Sequence, residues 1–160
     1  MTKVITKDKG DTGLIQVMAD LDKNQIKIAL PVSEHLPFDL IAINEMGVLS
    51  RVSVKYRKID AYGIITAPLR IISSNSQGYK VKYVNFNDID AYAIFCPDNG
   101  KCYYIPSNKF SNVKTQLSLR IDENIKGQTN INKINWAKDY LDPKMIFKLA
   151  ASNGIAPLPV

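Results

Sequence analysis

Apolar and polar positions along this chain follow two different periods, and the places where the period changes mark its elements. Leu14, Val17, Met18 and Leu21 recur at helical spacing, which predicts an amphipathic helix. Asp11 or Thr12 is the expected cap at its start, and Asp22-Lys23-Asn24 the expected end. Residues 25–30 alternate instead like a strand, and Pro31 stops it. After a loop over 32–37, Asp39 opens the apolar run Leu40-Ile41-Ala42-Ile43. The stretch Asn44-Glu45-Met46-Gly47 is a turn, and Arg51-Val52-Ser53-Val54-Lys55 is a second strand-forming run. Two such runs joined by a short glycine-containing turn predict a hairpin.

Residues 59–85 read as an insertion. Its first part, 61–72, is rich in β-branched residues, 73–78 is a polar loop, and 79–83 is a short basic strand. Residues 89–95 and 101–105 flank Asp98-Asn99-Gly100, a turn signal that predicts another hairpin. A last strand is expected within 113–120. Beyond Arg120 the composition shifts to Asn, Lys and Gln as far as residue 135. Trp136 and Tyr140 are spaced to share one face of a short helix, and Met145, Phe147 and Leu149 suggest another. This order predicts an α/β (α+β) domain, a mixed β-sheet core flanked by helices. Residues 1–120 form the domain, with 59–85 inserted in it, and 121–160 form a C-terminal extension that serves as an interface, a DNA contact or further core.

The bulk numbers narrow the partners more than the fold. At 160 residues with 46 % hydrophobic and 22 % charged positions, the chain is long enough for a core and unlike a disordered or fibrous protein. A net charge of +6 favours a polyanion, nucleic acid before membrane, since no basic amphipathic helix or lipidation signal accompanies it. The N-terminus has no apolar signal core, and no run approaches the roughly 20 apolar residues of a membrane span. A cytoplasmic location is therefore expected. Cys96 and Cys102 suit neighbouring strands of one hairpin and read as small apolar packing groups. With a single histidine, a zinc site has too few ligands.

The candidate chemistry lies in the first hairpin. Pairing its strands brings Asp39, near the start of one, close to Lys55, near the end of the other. An acid and a lysine facing one pocket can hold a metal ion and position a water for attack on phosphate. A nucleic acid, such as double-stranded DNA, is a polyanion that fits this chemistry. Arg57, Lys58, Arg70, Gln77, Lys80 and Lys82 offer phosphate-neutralising charge and groove-reading donors, and a two-stranded ribbon fits the major groove. An enzyme that cuts both strands of a duplex needs two active sites, and for such an enzyme a homo-oligomer is expected.

The ordered blocks Lys9-Gly10-Asp11-Thr12-Gly13, residues 30–40 (LPVSEHLPFDL), Arg51-Val52-Ser53-Val54-Lys55-Tyr56, residues 89–98 (IDAYAIFCPD) and Tyr103-Tyr104-Ile105-Pro106 resemble the PD-(D/E)XK nucleases encoded by group I introns. The resemblance spans about residues 9 to 110. It implies a restriction-endonuclease-like fold, a site-specific, magnesium-dependent (Mg2+) endodeoxyribonuclease of the intron-homing type, and a dimer or tetramer. Asp39 matches the metal-binding aspartate, and Lys55 the lysine that orients the attacking water and offsets developing charge. The position two before that lysine, usually Glu or Gln, is Ser53, which leaves it a catalytic or a structural role. Leu14 stands where the first helix often carries a Glu, and Asp11, one turn earlier, is the nearest substitute as a metal ligand or is simply the helix cap. Two other readings use the same features: a DNA-binding module without activity, and a junction nuclease that recognises branch shape.

Overall fold

A computed structural model describes residues 6–33, 35–76, 78–110, 115–121 and 134–147. Its elements are α1 (Thr6–Lys23), β1 (Lys27–Ala29), β2 (Leu40–Ile43), β3 (Leu49–Tyr56), β4 (Ile64–Pro68), β5 (Arg70–Asn75), β6 (Gly78–Tyr83), β7 (Ala91–Cys96), β8 (Lys101–Pro106) and β9 (Gln116–Arg120), with 3-10 turns at Ser107–Lys109, Ala137–Tyr140 and Pro143–Phe147.

The helix begins at Thr6, five residues before Asp11. Asp11 and Thr12 therefore lie inside it and cap nothing, contrary to the sequence expectation. Thr12 instead donates its hydroxyl back to the Asp8 carbonyl at 2.8 Å, and Asp8 supplies the acid that the positive end of the helix dipole favours. Within the helix, a Cβ on Gly13 would stand 3.3 Å from the Tyr56 Cβ, so glycine there permits close seating against β3. At the other end Gln25 takes φ +61°. The Ile26 and Gln25 amides then bond back to the Leu21 and Asp22 carbonyls, closing the helix in the manner usually reserved for glycine.

Both predicted hairpins form. The central sheet has five strands in the order β1-β2-β3-β7-β8. β2 pairs antiparallel with β1 and β3, β7 pairs antiparallel with β8, and β3 and β7 run parallel. One face of the sheet, through Leu40, Ala42, Val52, Ala93 and Tyr104, packs on Val17 and Leu21 of α1. The other, through Tyr92, Ile94, Tyr103 and Ile105, packs on Ile65, Ala67, Leu117 and Leu119, which belong to the antiparallel pair β4–β9. Helices were expected on both flanks; among the described residues there is one α-helix, and a strand pair covers the other face. Cys96 and Cys102 are buried free thiols, one in each of the two core clusters.

The 59–85 stretch divides into two pieces. Ile65, Ala67 and Leu69 are fully or almost fully buried, while β5 and β6 pair only with each other as a ribbon. Every residue of β6 is exposed. The 3-10 turns near the C-terminus replace the expected short helices. Ala137, Tyr140, Ile146 and Phe147 are buried there, and the Ile146 carbonyl accepts the Ser50 hydroxyl at 3.0 Å. Leu149 lies outside the described residues.

Candidate active site

Asp39 sits one residue before β2, where its amide bonds the Val52 carbonyl at 2.9 Å and extends the hairpin ladder. That register turns its carboxylate toward the middle of β3. Oδ2 accepts the Val54 amide and, at 3.3 Å, the Ser53 hydroxyl. Alternation along β3 puts Arg51, Ser53 and Lys55 on one face. It is the face away from α1, because Val52 and Val54 pack on the helix side. In the parallel pairing with β7, Ser53 stands opposite Tyr92 and Lys55 opposite Ile94.

These placements put the Lys55 ammonium over the Tyr92 ring, Nζ 5.7 Å from its centroid. Burial pushes the Lys55 pKa down; the Asp39 charge opposes that, and Arg57 reinforces it. Tyr92 is 1 % exposed. Burial, with Asp39 adding to it and Arg57 opposing, pushes its phenol up to about 12, so it stays protonated near neutrality. Arg57 continues the β3 ladder, its amide bonded to the Phe95 carbonyl at 3.0 Å, and its guanidinium donates to the Tyr56 carbonyl at 2.8 Å. Burial lowers its pKa, with the Tyr92 hydroxyl working the other way.

An ion pair stands at the start of the same β3 face. Asp90, just before β7, accepts the Arg51 amide at 2.8 Å, Nε at 3.0 Å and the second guanidinium nitrogen at 2.9 Å. Burial works against its ionisation, but these bonds and the Arg51 charge hold the carboxyl below the usual range. The pair neutralises itself and pins the start of β7 to β3.

The structure thus brings Asp39, Ser53 and Lys55 together as the sequence proposed. Asp11 is exposed on α1, which packs against the opposite face of the sheet. Among the described residues no group of three His, Cys, Asp or Glu side chains gathers to hold a metal. Magnesium, however, takes one or two protein carboxylates together with substrate phosphate oxygens and keeps several waters. Asp39 fits that requirement: among the described residues its hydrogen bonds all fall on Oδ2, leaving Oδ1 open, with the Ser53 hydroxyl beside it.

Of the DNA-reading candidates, Lys58 is exposed just past β3, Arg70 at the start of β5, and Lys80 and Lys82 on β6. Gln77 lies outside the described residues, as does Glu34. Arg57 belongs with Lys55 rather than with the ribbon. Tyr92 was missed because its approach depends on a parallel pairing of strands some 40 residues apart. Its one local signal is a phenol between Ala91 and Ala93 in a strand that is otherwise plain core.

The chain is similar to known nucleases. A family model described as PD-(D/E)XK endonuclease matches residues 4–142. Among solved structures, the fold is similar to a bacterial homing endonuclease, I-Ssp6803I. The TM-score is 0.72 and the identity 18 %, over 94 % of this chain and 99 % of that one. At such identity the likeness is one of fold. No curated protein matches the chain.

Proposed function

The chain belongs to the PD-(D/E)XK endonuclease family, and from that premise we propose that it hydrolyses phosphodiester bonds of double-stranded DNA at specific sites, as a magnesium-dependent homing endonuclease of the intron-encoded type. The observation that carries the reading is the Asp39 carboxylate fixed by Ser53 and Val54 on the face that presents Lys55. What a divalent ion supplies on binding there is polarisation of a phosphoryl oxygen and a more acidic water.

The chain's own residues do the positioning. Asp39 is held rigid by two donors, so its free oxygen points in a defined direction without reorganisation. Ser53 keeps that carboxylate in place and, as a neutral group, leaves the site one negative charge poorer than a two-acid site. Lys55 donates from Nζ toward the water or the phosphate oxygen on which charge develops, and its partly desolvated setting strengthens that interaction. The exposed ribbon, with Arg70, Lys80 and Lys82 and with Lys58 at the end of β3, supplies phosphate contacts and groove reading. Two copies of the site serve the two strands, so the active form is a homo-oligomer, a dimer or a tetramer.

The test is cleavage of a plasmid carrying the intronless form of the host locus, in magnesium, calcium or EDTA. Discrete products in magnesium alone are expected, with Asp39→Ala and Lys55→Ala each abolishing cutting and leaving DNA binding largely intact. Because Asp39 is the one carboxylate that faces Lys55 among the described residues, a DNA-binding module without activity is the second reading. Bound but uncut DNA in all three conditions would establish it.

A further inference from the structure

We propose that Arg57 contacts the phosphate being cut and acts with Lys55 in the chemical step, rather than reading bases or the flanking backbone; this rests on the endonuclease reading above. The geometry begins with the strand. Arg57 lies two residues past Lys55, and its amide bond to Phe95 carries the parallel ladder on by one step. Alternation therefore keeps Arg57 on the face of Ser53 and Lys55, over β7.

The charges on that face do not balance without a ligand. Arg51 and Asp90 cancel in their 2.9 Å ion pair. Among the described residues Asp39 remains as the one acid against two cations, Lys55 and Arg57, and Tyr92 beside them is neutral. Placing two half-buried cations side by side is costly unless an anion joins them.

The donor inventory points the same way. A guanidinium has five N–H donors in a planar fork suited to phosphate. Among the described residues Arg57 commits a single nitrogen, the one bonded to the Tyr56 carbonyl at 2.8 Å, and that bond fixes the plane of the fork. No carboxylate pairs with it among the described residues, where Arg51–Asp90 is the ion pair found. A phosphodiester beside Lys55 would supply the missing negative charge and the acceptors. The lost second carboxylate at Ser53 then has a counterpart: the site relies less on anionic ligands and more on cationic stabilisation of the phosphate.

The experiment is single-turnover cleavage of duplex DNA at saturating protein, with DNA affinity measured separately in calcium, for wild type, Arg57→Ala, Arg57→Lys and Asp39→Ala. The rate for Arg57→Ala should fall by about 100-fold or more, with affinity changed by no more than about fivefold, and Arg57→Lys should recover part of the loss. Methylguanidinium at millimolar concentration should restore part of the Arg57→Ala rate and none of the Asp39→Ala rate. A wild-type rate for Arg57→Ala at saturation, with weakened affinity alone, overturns the inference and leaves the endonuclease reading standing. A slow Arg57→Ala enzyme that melts early and gains nothing from methylguanidinium makes Arg57 a prop and also overturns it. A wild type that cuts no DNA overturns both.

Discussion

Replacing Tyr92 separates what its ring does from what its hydroxyl does. Tyr92→Phe keeps the ring beneath the Lys55 ammonium and beside Phe110; Tyr92→Leu keeps apolar bulk and removes both ring contacts. The ammonium stands 5.7 Å from the ring centroid, within the range where such a contact contributes about 0.5–2 kcal/mol. The Phe110 ring lies 5.0 Å away at 30°, and an aromatic pair of that kind adds about 0.5–1.5 kcal/mol. Tyr92→Leu should therefore lower unfolding free energy by roughly 1–3 kcal/mol. If the ring positions Lys55, losing about 1–2 kcal/mol of that placement slows the chemical step by about 5- to 30-fold. Tyr92→Phe should stay within about threefold of wild type in rate and about 1 kcal/mol in stability. Urea unfolding and single-turnover cleavage measure the two effects. A double-mutant cycle with Lys55→Met should return a coupling of about 0.5–2 kcal/mol in stability, independent of any activity. Zero coupling, or full activity in Tyr92→Leu, would refute the positioning argument. A Phe variant as slow as the Leu variant would shift the role to the phenol oxygen.

Three other outcomes follow from neighbouring parts of the molecule. Asp90→Ala should destabilise by roughly 1–2 kcal/mol, a value held down because Asp90 and Arg51 are each about a third exposed. The folded Asp90 carboxyl is held below its unfolded value near 3.9, so its contribution is present above that pH and fades as pH falls through the folded value. Urea melts of variant and wild type should therefore converge in acid. Burial, helped by the nearby Asp20, pushes the Cys102 thiol up to about 12, so thiol titration with a disulfide reagent should find neither cysteine reactive until the protein unfolds. Excising the ribbon, by joining Leu69 to Val84 through an Asn-Gly turn, should spare the core, because the Val84 amide already bonds the Leu69 carbonyl at 2.9 Å. Circular dichroism should show a cooperative melt, and DNA affinity should fall and lose much of its salt dependence.

How much of this was legible in the sequence depended on chain distance. Asp39 and Ser53 meet because the turn Asn44–Gly47 fixes a local register, and the first hairpin could be read from its turn residues and apolar runs. The Asp98-Asn99-Gly100 turn gave the second hairpin in the same way. Contacts across long separations left no comparable mark. Ile65 and Ala67 are core because β4 pairs with β9 about 50 residues later, yet their β-branched and small neighbours suit an exposed ribbon equally well. The helix start was misplaced because Lys7-Asp8-Lys9-Gly10 carries no apolar residue to extend the helical period, and in the structure these residues form an exposed part of the helix. Tyr92 and Arg57 joined the site only once the parallel pairing of β3 with β7 was known.

That division between local and distant contacts is also a division of labour. Lys55 and Tyr92 sit on the two strands that are flanked on both sides within the sheet; the Tyr92 backbone is held by ladders on both edges, and that of Lys55, past the β2 pairing, by its ladder with β7. Slipping the β3–β7 register would break the four hydrogen bonds by which Arg51 and Asp90 pin it, one between backbones, one from backbone to side chain and two between side chains. The β5–β6 ribbon has no such neighbours, and its tyrosines and lysines face solvent on both sides. Rigid placement is what phosphoryl chemistry requires, since a displacement of an ångström misaligns the attack. An adaptable ribbon is what a groove of varying width requires. On the reading proposed above, in which the ribbon contacts DNA and Lys55 and Arg57 serve the cut phosphate, a change of target can accumulate on the exposed strand β6 while the atoms around Asp39 stay as they are.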